Sequence, residues 1–338
     1  MRIAIVTDAW APQVNGVVRS LEAVIGELRA MGHQVLVVAP DTFRSLPCPT
    51  YPEIRLALAG VRAVGDRIAA FAAEAVHIAT EGPLGVAARR WCVVRGRPFT
   101  TAYHTQFPDY VAARTGVNPE WVWRYIRWFH APAQGILAST PTIEATLAAH
   151  GLPHARRWGR GVAAAFRPHG VLDAAIAALP RPIMLYVGRV AVEKNVAAFL
   201  SADHPGSKVM VGDGPARAAL EARFPRTHFL GARFGEALAA AYRTADVLVF
   251  PSRTDTFGLV MIEALACGTP VAAFPVAGPL DVLTPESGAM DEDLPAAIDR
   301  ALALDPHRCA ELGARHTWRA SAEQFLAALA PVPASLAA

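Results

Sequence analysis

The chain has 338 residues, of which 53% are hydrophobic and 18% are charged, and its net charge is +3. This length and apolar content are sufficient for two domains with separate cores. The lysines and arginines form no dense run, which excludes a typical nucleic-acid-binding protein, and no apolar stretch is long enough to span a membrane.

Predicted strands and helices alternate from the start of the chain. The segment "RIAIVT" (2–7) is apolar and rich in β-branched residues, and after a loop "VVRSLEAVIGELRAMG" (17–32) has helical spacing. The apolar positions that share one face of this helix are Val18, Leu21, Val24, Ile25 and Leu28. Further predicted strands are 33–40, 75–80, 98–105 and 135–140. Continuous apolar strands that alternate with helices predict a parallel sheet covered on both faces.

A second series of apolar strands begins at residue 181, and consecutive helices follow over 293–329. Its predicted strands are 181–190, 208–215, 227–232, 245–252 and 269–275. We therefore predict an α/β protein with two Rossmann-like doubly wound domains, 1–165 and 166–310, and with helices in 311–338 that pack back towards the first domain. Ligands of such sheets bind beyond the carboxyl ends of the strands, so two domains that face each other would form one deep cleft.

Two residues of the first domain are candidates for ligand contact. Gly16, in "NGVV", begins the first helix, which is a position where a phosphate can approach the backbone. No GxGxxG motif is present, so a nicotinamide fingerprint is absent. His104 comes directly after a strand in "YHTQFPDY", where it could bind substrate or stabilise developing charge, and a purely structural histidine fits the pattern equally well.

The segment "WVWRYIRWFH" (121–130) combines aromatic rings with arginines. Helical spacing places Trp121, Arg124, Tyr125 and Trp128 on one side. Such a face is typical of a membrane–water interface, and the alternative is an amphipathic helix of the core. The four cysteines form no CxxC pair and the first residues become polar too soon for a signal peptide. We expect a cytoplasmic protein, with peripheral contact to anionic membrane if the first interpretation holds.

Arg189 and Lys194 follow a strand in "YVGRVAVEKN", in a loop that opens a helix. Two cations at the carboxyl end of a strand suit a diphosphate, because arginine offers a planar fork of donors and lysine a point charge. The alternative is an exposed loop with ordinary surface charges.

Two carboxylates lie eight positions apart in "RTDTFGLVMIEALACG": Asp255 in a loop and Glu263 in the helix that follows. Phe257, Gly258 and Leu259 are predicted to begin that helix, so their N–H groups can point at a polar ligand. Carboxylates are good partners for the vicinal hydroxyls of a sugar. The alternative is that Asp255 caps the helix and Glu263 is a solvated surface acid. No DxD-type cluster follows a strand, so we expect no catalytic metal and no cofactor.

Several of these motifs, in the same order, resemble those of the retaining GT-B glycosyltransferases of family 4. They are "NGVV", "TEGPLG", "AYHTQFPDYV", "RGV", "GRVAVEKN", "VGDGP" and "RTDTFGLVMIEALACGTPV". The family commonly has Glu, seven residues, then Glu, and here Asp255 takes the first place. The chain is most similar to bacterial GDP-mannose-dependent α-mannosyltransferases and to glycolipid glucosyl- and sulfoquinovosyltransferases.

The resemblance implies a role for each candidate residue. Glu263 would hold the nucleotide ribose, and Asp255, with the backbone near Phe257 and Gly258, would hold the donor hexose. Arg189 and Lys194 would neutralise the diphosphate, which Gly16 would also approach. His104 would contact the donor sugar near the reacting carbon.

The implied function is retaining transfer of a hexose from a nucleotide diphosphate sugar to a hydroxyl, with a membrane lipid or glycolipid as the expected acceptor. One alternative is a GT-B-like nucleotide-sugar epimerase, which would need carboxylates poised for proton abstraction. Another is a two-lobed binding protein without chemistry, which the paired Arg189 and Lys194 disfavour.

Overall fold

A computed structural model describes residues 1–13, 15–48, 55–104 and 118–333. The chain divides into two compact units. The first comprises Met1–Arg160 together with Trp318–Ala338, and the second comprises Gly161–Thr317. Within the described residues, no helix combines the length and apolar character needed to cross a membrane.

The first unit contains a parallel six-stranded sheet with the order β2-β1-β5-β6-β7-β8 and a short antiparallel pair, β3 and β4. Its strands are β1 (Arg2–Val6), β2 (Gln34–Val38), β3 (Ser45–Pro47), β4 (Arg55–Ala57), β5 (Ala75–Ile78), β6 (Thr100–Tyr103), β7 (Gly135–Ala138) and β8 (Ala155–Arg157). Its described helices are Gly16–Ala30, Val61–Ala70, Pro83–Val94, Pro119–His130, Pro141–Ala149 and Trp318–Ala328, with a 3-10 turn at Pro40–Thr42.

The first helix shows how local sequence sets its bounds and its buried face. The Asn15 side chain accepts hydrogen bonds from the N–H groups of Val17 and Val18, which caps the helix at its start. The predicted apolar face is confirmed, since all five of its residues are buried. Four of the five, Leu21, Val24, Ile25 and Leu28, pack in one cluster with residues of β1 and of the last helix, Trp318–Ala328.

The second unit contains another parallel six-stranded sheet, with the order β11-β10-β9-β12-β13-β14. Its strands are β9 (Ile183–Val187), β10 (Ser207–Val211), β11 (His228–Phe229), β12 (Val247–Phe250), β13 (Val271–Ala273) and β14 (Gly288–Met290). Its described helices are Ala174–Ala177, Val196–Ser201, Arg217–Arg223, Gly235–Thr244, Leu259–Ala266, Pro279–Val282, Leu294–Leu302 and Pro306–Gly313, with a 3-10 turn at Val192–Lys194.

Each sheet reverses its direction of growth at one point, which is where ligands of doubly wound sheets bind. In the second unit that point lies between β9 and β12, because β9 pairs with β10 on one side and with β12 on the other. In the first unit it lies between β1 and β5. The expectation of two parallel, doubly wound α/β sheets is confirmed.

Candidate active site

The loop after β9 carries the two predicted cations. Arg189 has 36% of its side chain exposed, and one guanidinium nitrogen lies 3.9 Å from a carboxylate oxygen of Glu193. Its backbone carbonyl accepts a 2.8 Å hydrogen bond from the buried Tyr186 hydroxyl, which fixes the start of the loop. Lys194 ends the 3-10 turn that follows.

The structure brings Lys194 and Asp255 together: the lysine ammonium forms an ion pair with the Asp255 carboxylate. The two side chains are 27% and 24% exposed. The contact joins the loop after β9 to the loop after β12, at the point where the sheet reverses direction. Asn195 supports the same junction by donating a 3.1 Å hydrogen bond to the Pro251 carbonyl. Charge of both signs is therefore concentrated at the carboxyl edge of this sheet.

The helix after Asp255 starts at Leu259, with Gly258 as its N-cap residue. Gly258 has φ +79°, and a Cβ there would lie 2.8 Å from the Phe250 ring. Only glycine fits both the left-handed backbone and the limited space. The helix therefore starts at the last of the three predicted residues, and Phe257 and Gly258 form the turn before it.

Glu263 lies inside this helix with only 3% of its surface exposed. Its Oε2 accepts a 3.1 Å hydrogen bond from the Tyr242 hydroxyl, which is fully buried. The alternative of a helix-capping Asp255 and a solvated Glu263 is therefore wrong. A buried carboxylate is costly unless it is hydrogen-bonded, so its place in an apolar helix points to a specific task.

His104 follows β6 in the first unit. Its Nδ1 lies 3.3 Å from a guanidinium nitrogen of Arg160, and its ring meets Trp158 edge-on, with centroids 5.5 Å apart. Burial first, and then the charge of Arg160, lower the pKa of His104 well below its ordinary value. The imidazole is therefore neutral at physiological pH.

Gly16 begins the first helix and is exposed, beside the capping Asn15. Glu81 lies at the carboxyl edge of the first unit's sheet, and its carboxylate is 3.2 Å from Nε2 of the buried His130. The Asp8 carboxylate accepts from the backbone of Leu84 at 2.9 Å, at the start of the helix Pro83–Val94. Polar side chains therefore lie at the carboxyl ends of three strands: Asp8 after β1, Glu81 after β5 and His104 after β6.

The helix Pro119–His130 has two different faces. Trp121, Tyr125 and Trp128 are 65%, 40% and 41% exposed, and Arg124 extends over the Trp121 ring at 5.3 Å. The buried residues are Trp123, Ile126, Phe129 and His130. The interpretation as an amphipathic core helix is therefore confirmed for one face. The other face presents rings and Arg124 to solvent, and its contact with a membrane stays a prediction.

Comparison with known proteins agrees with this geometry. A family model described as "Glycosyltransferase Family 4" matches residues 14–166, and one described as "Glycosyl transferases group 1" matches residues 181–304. A GDP-mannose-dependent alpha-mannosyltransferase from Mycolicibacterium smegmatis is 35% identical over 335 residues, which cover 90% of this chain and 89% of the relative. The chain belongs to glycosyltransferase family 4. This glycosyltransferase is also 26% identical to an alpha-monoglucosyldiacylglycerol synthase from Streptococcus pneumoniae, over 96% of this chain and 83% of the relative.

The solved structure of a sucrose-phosphate synthase from Thermosynechococcus elongatus shares the fold of this glycosyltransferase. The TM-score is 0.77 at 24% sequence identity, and the match covers 96% of this chain and 97% of the other. The fold is therefore GT-B, as the sequence motifs predicted. Among the residues that the structure describes, no group of three or more His, Cys, Asp or Glu side chains could hold a metal ion.

Sequence reasoning missed the residues that support the site of this glycosyltransferase. Tyr242, Asn195 and Arg160 are each in contact with a predicted site residue or its loop. Tyr242 and Arg160 lie far along the chain from the side chains that they contact, whereas Asn195 directly follows Lys194. Their positions depend on packing between distant segments.

Proposed function

We propose that this glycosyltransferase transfers a hexose, with retention of configuration, from a nucleotide diphosphate sugar to a hydroxyl of a membrane lipid or glycolipid. GDP-mannose is the first candidate donor and a UDP-hexose the second, because relatives named for mannose and glucose transfer align with almost the whole chain. The observation that carries the proposal is the meeting of Lys194 and Asp255, beside Arg189, where the second sheet reverses direction.

Charge explains how these residues would act. When the bond between the anomeric carbon and the phosphate oxygen breaks, negative charge grows on the β-phosphate. Arg189 and Lys194 would stabilise that charge, and Lys194 would exchange its contact with Asp255 for one with phosphate. Asp255 would then accept hydrogen bonds from the hexose, and Glu263 would accept them from the ribose.

The remaining steps need no covalent intermediate between the enzyme and the hexose. The acceptor oxygen bonds to the anomeric carbon on the face that the phosphate leaves, and the acceptor proton passes to a phosphate oxygen. By the family resemblance, Gly16 would approach the diphosphate and His104 would contact the hexose. Phe257 and Gly258 contribute backbone groups to the hexose.

Replacing both Arg189 and Lys194 with alanine tests the electrostatic role. We expect kcat to fall much more than the affinity for the uncharged acceptor, because the charge is largest in the transition state. Arg189→Lys should recover only part of the activity, since the planar fork is lost. Arg308→Ala is the control, because it removes a half-buried arginine of the same unit that pairs with Glu286 and Glu311. Near-normal turnover by the double variant would overturn the proposal.

A thermal-shift series with GDP-mannose, UDP-glucose and ADP-glucose identifies the donor class. A ligand at about 100 times its dissociation constant stabilises the folded state by about 2.7 kcal/mol. Product analysis then separates the alternatives: an epimerase would convert the sugar without an acceptor, and a binding protein would show a thermal shift without turnover.

Transfer should proceed without a metal ion. Arg189 and Lys194 supply the positive charge at the diphosphate that a bound metal supplies in other enzymes. We therefore expect full activity after treatment with EDTA. Loss of activity that Mg²⁺ or Mn²⁺ restores would contradict this part of the proposal.

The acceptor side of the proposal concerns the exposed face of the helix Pro119–His130. Aromatic rings beside arginines favour the headgroup region of a membrane, where the rings settle and the charges meet anionic lipid. We place this face on the inner surface of the cytoplasmic membrane, close to a lipid acceptor.

A further inference from the structure

The contact between Arg160 and His104 determines where the imidazole carries its proton. A guanidinium group can only donate hydrogen bonds and has no acceptor atom. Its Nη2 lies 3.3 Å from Nδ1 of His104, so Nδ1 must be the accepting, unprotonated nitrogen. In a neutral imidazole the single ring proton then lies on Nε2.

Arg160 is itself held in place independently of His104. Its Nη1 donates to the carbonyl oxygens of Trp158 at 2.7 Å and Gly159 at 3.1 Å. The guanidinium carbon lies 4.2 Å from the centroid of the Trp158 ring, and the whole residue is only 7% exposed. Trp158 is anchored in turn by a 3.1 Å hydrogen bond from its indole N–H to Ser321. The arginine therefore points a fixed donor at the imidazole.

Two further titratable groups face His104. They are His77, on β5, and His130, at the end of the helix Pro119–His130. Burial lowers the pKa of His77 to about 3, so His77 is neutral at physiological pH. Arg160 keeps its charge, because burial lowers its pKa only to about 9. Burial and the charge of Arg160 therefore keep His104 in its neutral form.

We propose that Arg160 is a positioning residue that holds His104 as the neutral imidazole with its proton on Nε2, so that His104 offers the hexose a hydrogen-bond donor and does not act as a base. The contact with the hexose rests on the proposed function. The tautomer is a property of the protein alone. A histidine fixed in this way takes no proton from the acceptor hydroxyl, which leaves the phosphate oxygen as the proton's destination.

The tautomer is measured by ¹⁵N NMR of protein labelled at histidine, with the His104 signals assigned from a His104→Gln variant. The parent should show a protonated Nε2 and an unprotonated Nδ1, unchanged from about pH 8 to about pH 5.5. Arg160→Met should let the ring proton of His104 occupy either nitrogen, and Arg160→Lys should restore part of the parent tautomer. Arg156→Met is the matched control, because Arg156 donates to the carbonyls of Ala328 and Gln134 in the same unit. A parent His104 that titrates near its ordinary pKa or carries its proton on Nδ1 overturns the proposal, even if Arg160→Met fails to fold.

The activity of His104 variants shows whether His104 acts as a hydrogen-bond donor or as a base. The amide nitrogen of Gln can replace the Nε2–H group, whereas Glu offers only acceptors. We expect kcat of His104→Gln to exceed that of His104→Glu by about tenfold, the value of one hydrogen bond. The reverse order would overturn the donor role. If His104→Ala keeps parent turnover, the proposed contact with the sugar fails while the NMR result still decides the role of Arg160.

Discussion

Glu263 shows what a single residue reveals about the site. The sequence left open whether Glu263 is a site residue or a solvated surface acid, and the structure shows that only 3% of it is exposed. The sequence could not identify Tyr242 as its hydrogen-bond donor. That contact depends on how the helix Gly235–Thr244 packs on the helix Leu259–Ala266, and neither helix encodes the other's position.

Glu263→Gln tests whether the Glu263 carboxylate serves donor binding or the stability of the fold. The amide keeps the size of the side chain and an oxygen that can accept from Tyr242, so the free energy of unfolding should stay about equal. Donor affinity should fall about tenfold, because charged acceptors form stronger hydrogen bonds with ribose hydroxyls than neutral ones. Calorimetry with the donor and denaturant unfolding measure the two effects.

Two further variants complete this prediction. Tyr242→Phe should cost about 1 kcal/mol of stability, because it removes one donor from a buried carboxylate. Glu311→Gln, at an exposed position of the same unit, should change neither quantity. If Glu263→Gln loses stability and binds the donor normally, the carboxylate serves the fold alone.

At the scale of elements, the helix Pro119–His130 is one whose buried aromatic rings could not be predicted from its sequence pattern. Aromatic rings lie on its exposed face and on its buried face, so a membrane-facing helix and a core helix give nearly the same pattern. The structure assigns Trp123 to the core and Trp121 to the surface, two positions apart. Only packing against the sheet could decide which rings are covered.

Replacing Trp121, Tyr125 and Trp128 together with serine should leave the fold intact, because these rings lie on the exposed face. The variant should lose binding to anionic vesicles, whereas the parent should sediment with them at low salt and be released at high salt. Trp123→Ser is the contrasting variant and should destabilise the fold by about 3–5 kcal/mol, the usual cost of deleting a buried large ring. Equal vesicle binding by a folded triple variant would show that this face does not meet the membrane.

At the scale of the whole molecule, the chain returns to its first unit only at Trp318. The sequence predicted that helices in 311–338 return to the first domain, and residue 311 falls inside the helix Pro306–Gly313. Gly313 lies so close to Ala266 that a Cβ would be 2.2 Å from its nitrogen, which keeps Pro306–Gly313 in the second unit. Phe325 instead packs on Trp158 of the first unit, with centroids 5.2 Å apart.

The first unit should be the more acid-sensitive one. His77 and His104 are both buried there, and burial lowers the pKa of each. Below about pH 6.5 the unfolded chain takes up protons that the folded histidines refuse, so stability falls with falling pH, by up to about 1.4 kcal/mol per pH unit for each group. For His77 this window extends down to a pKa of about 3. Asp8 acts in the opposite direction, since burial raises its pKa.

The positions of the tryptophans allow the acid sensitivity of the first unit to be measured in the intact chain. All seven tryptophans lie in the first unit, so their fluorescence reports on that unit alone, while far-ultraviolet circular dichroism reports on both. On acidification from pH 7, we expect the fluorescence transition to come before the main loss of circular dichroism, as in a protein whose two units do not unfold together. His77→Gln should move the fluorescence transition to lower pH, because it removes a group that gains its proton only on unfolding. His307→Gln, at an exposed position of the second unit, should leave it in place. Coincident transitions that neither variant moves would show that other groups control acid unfolding.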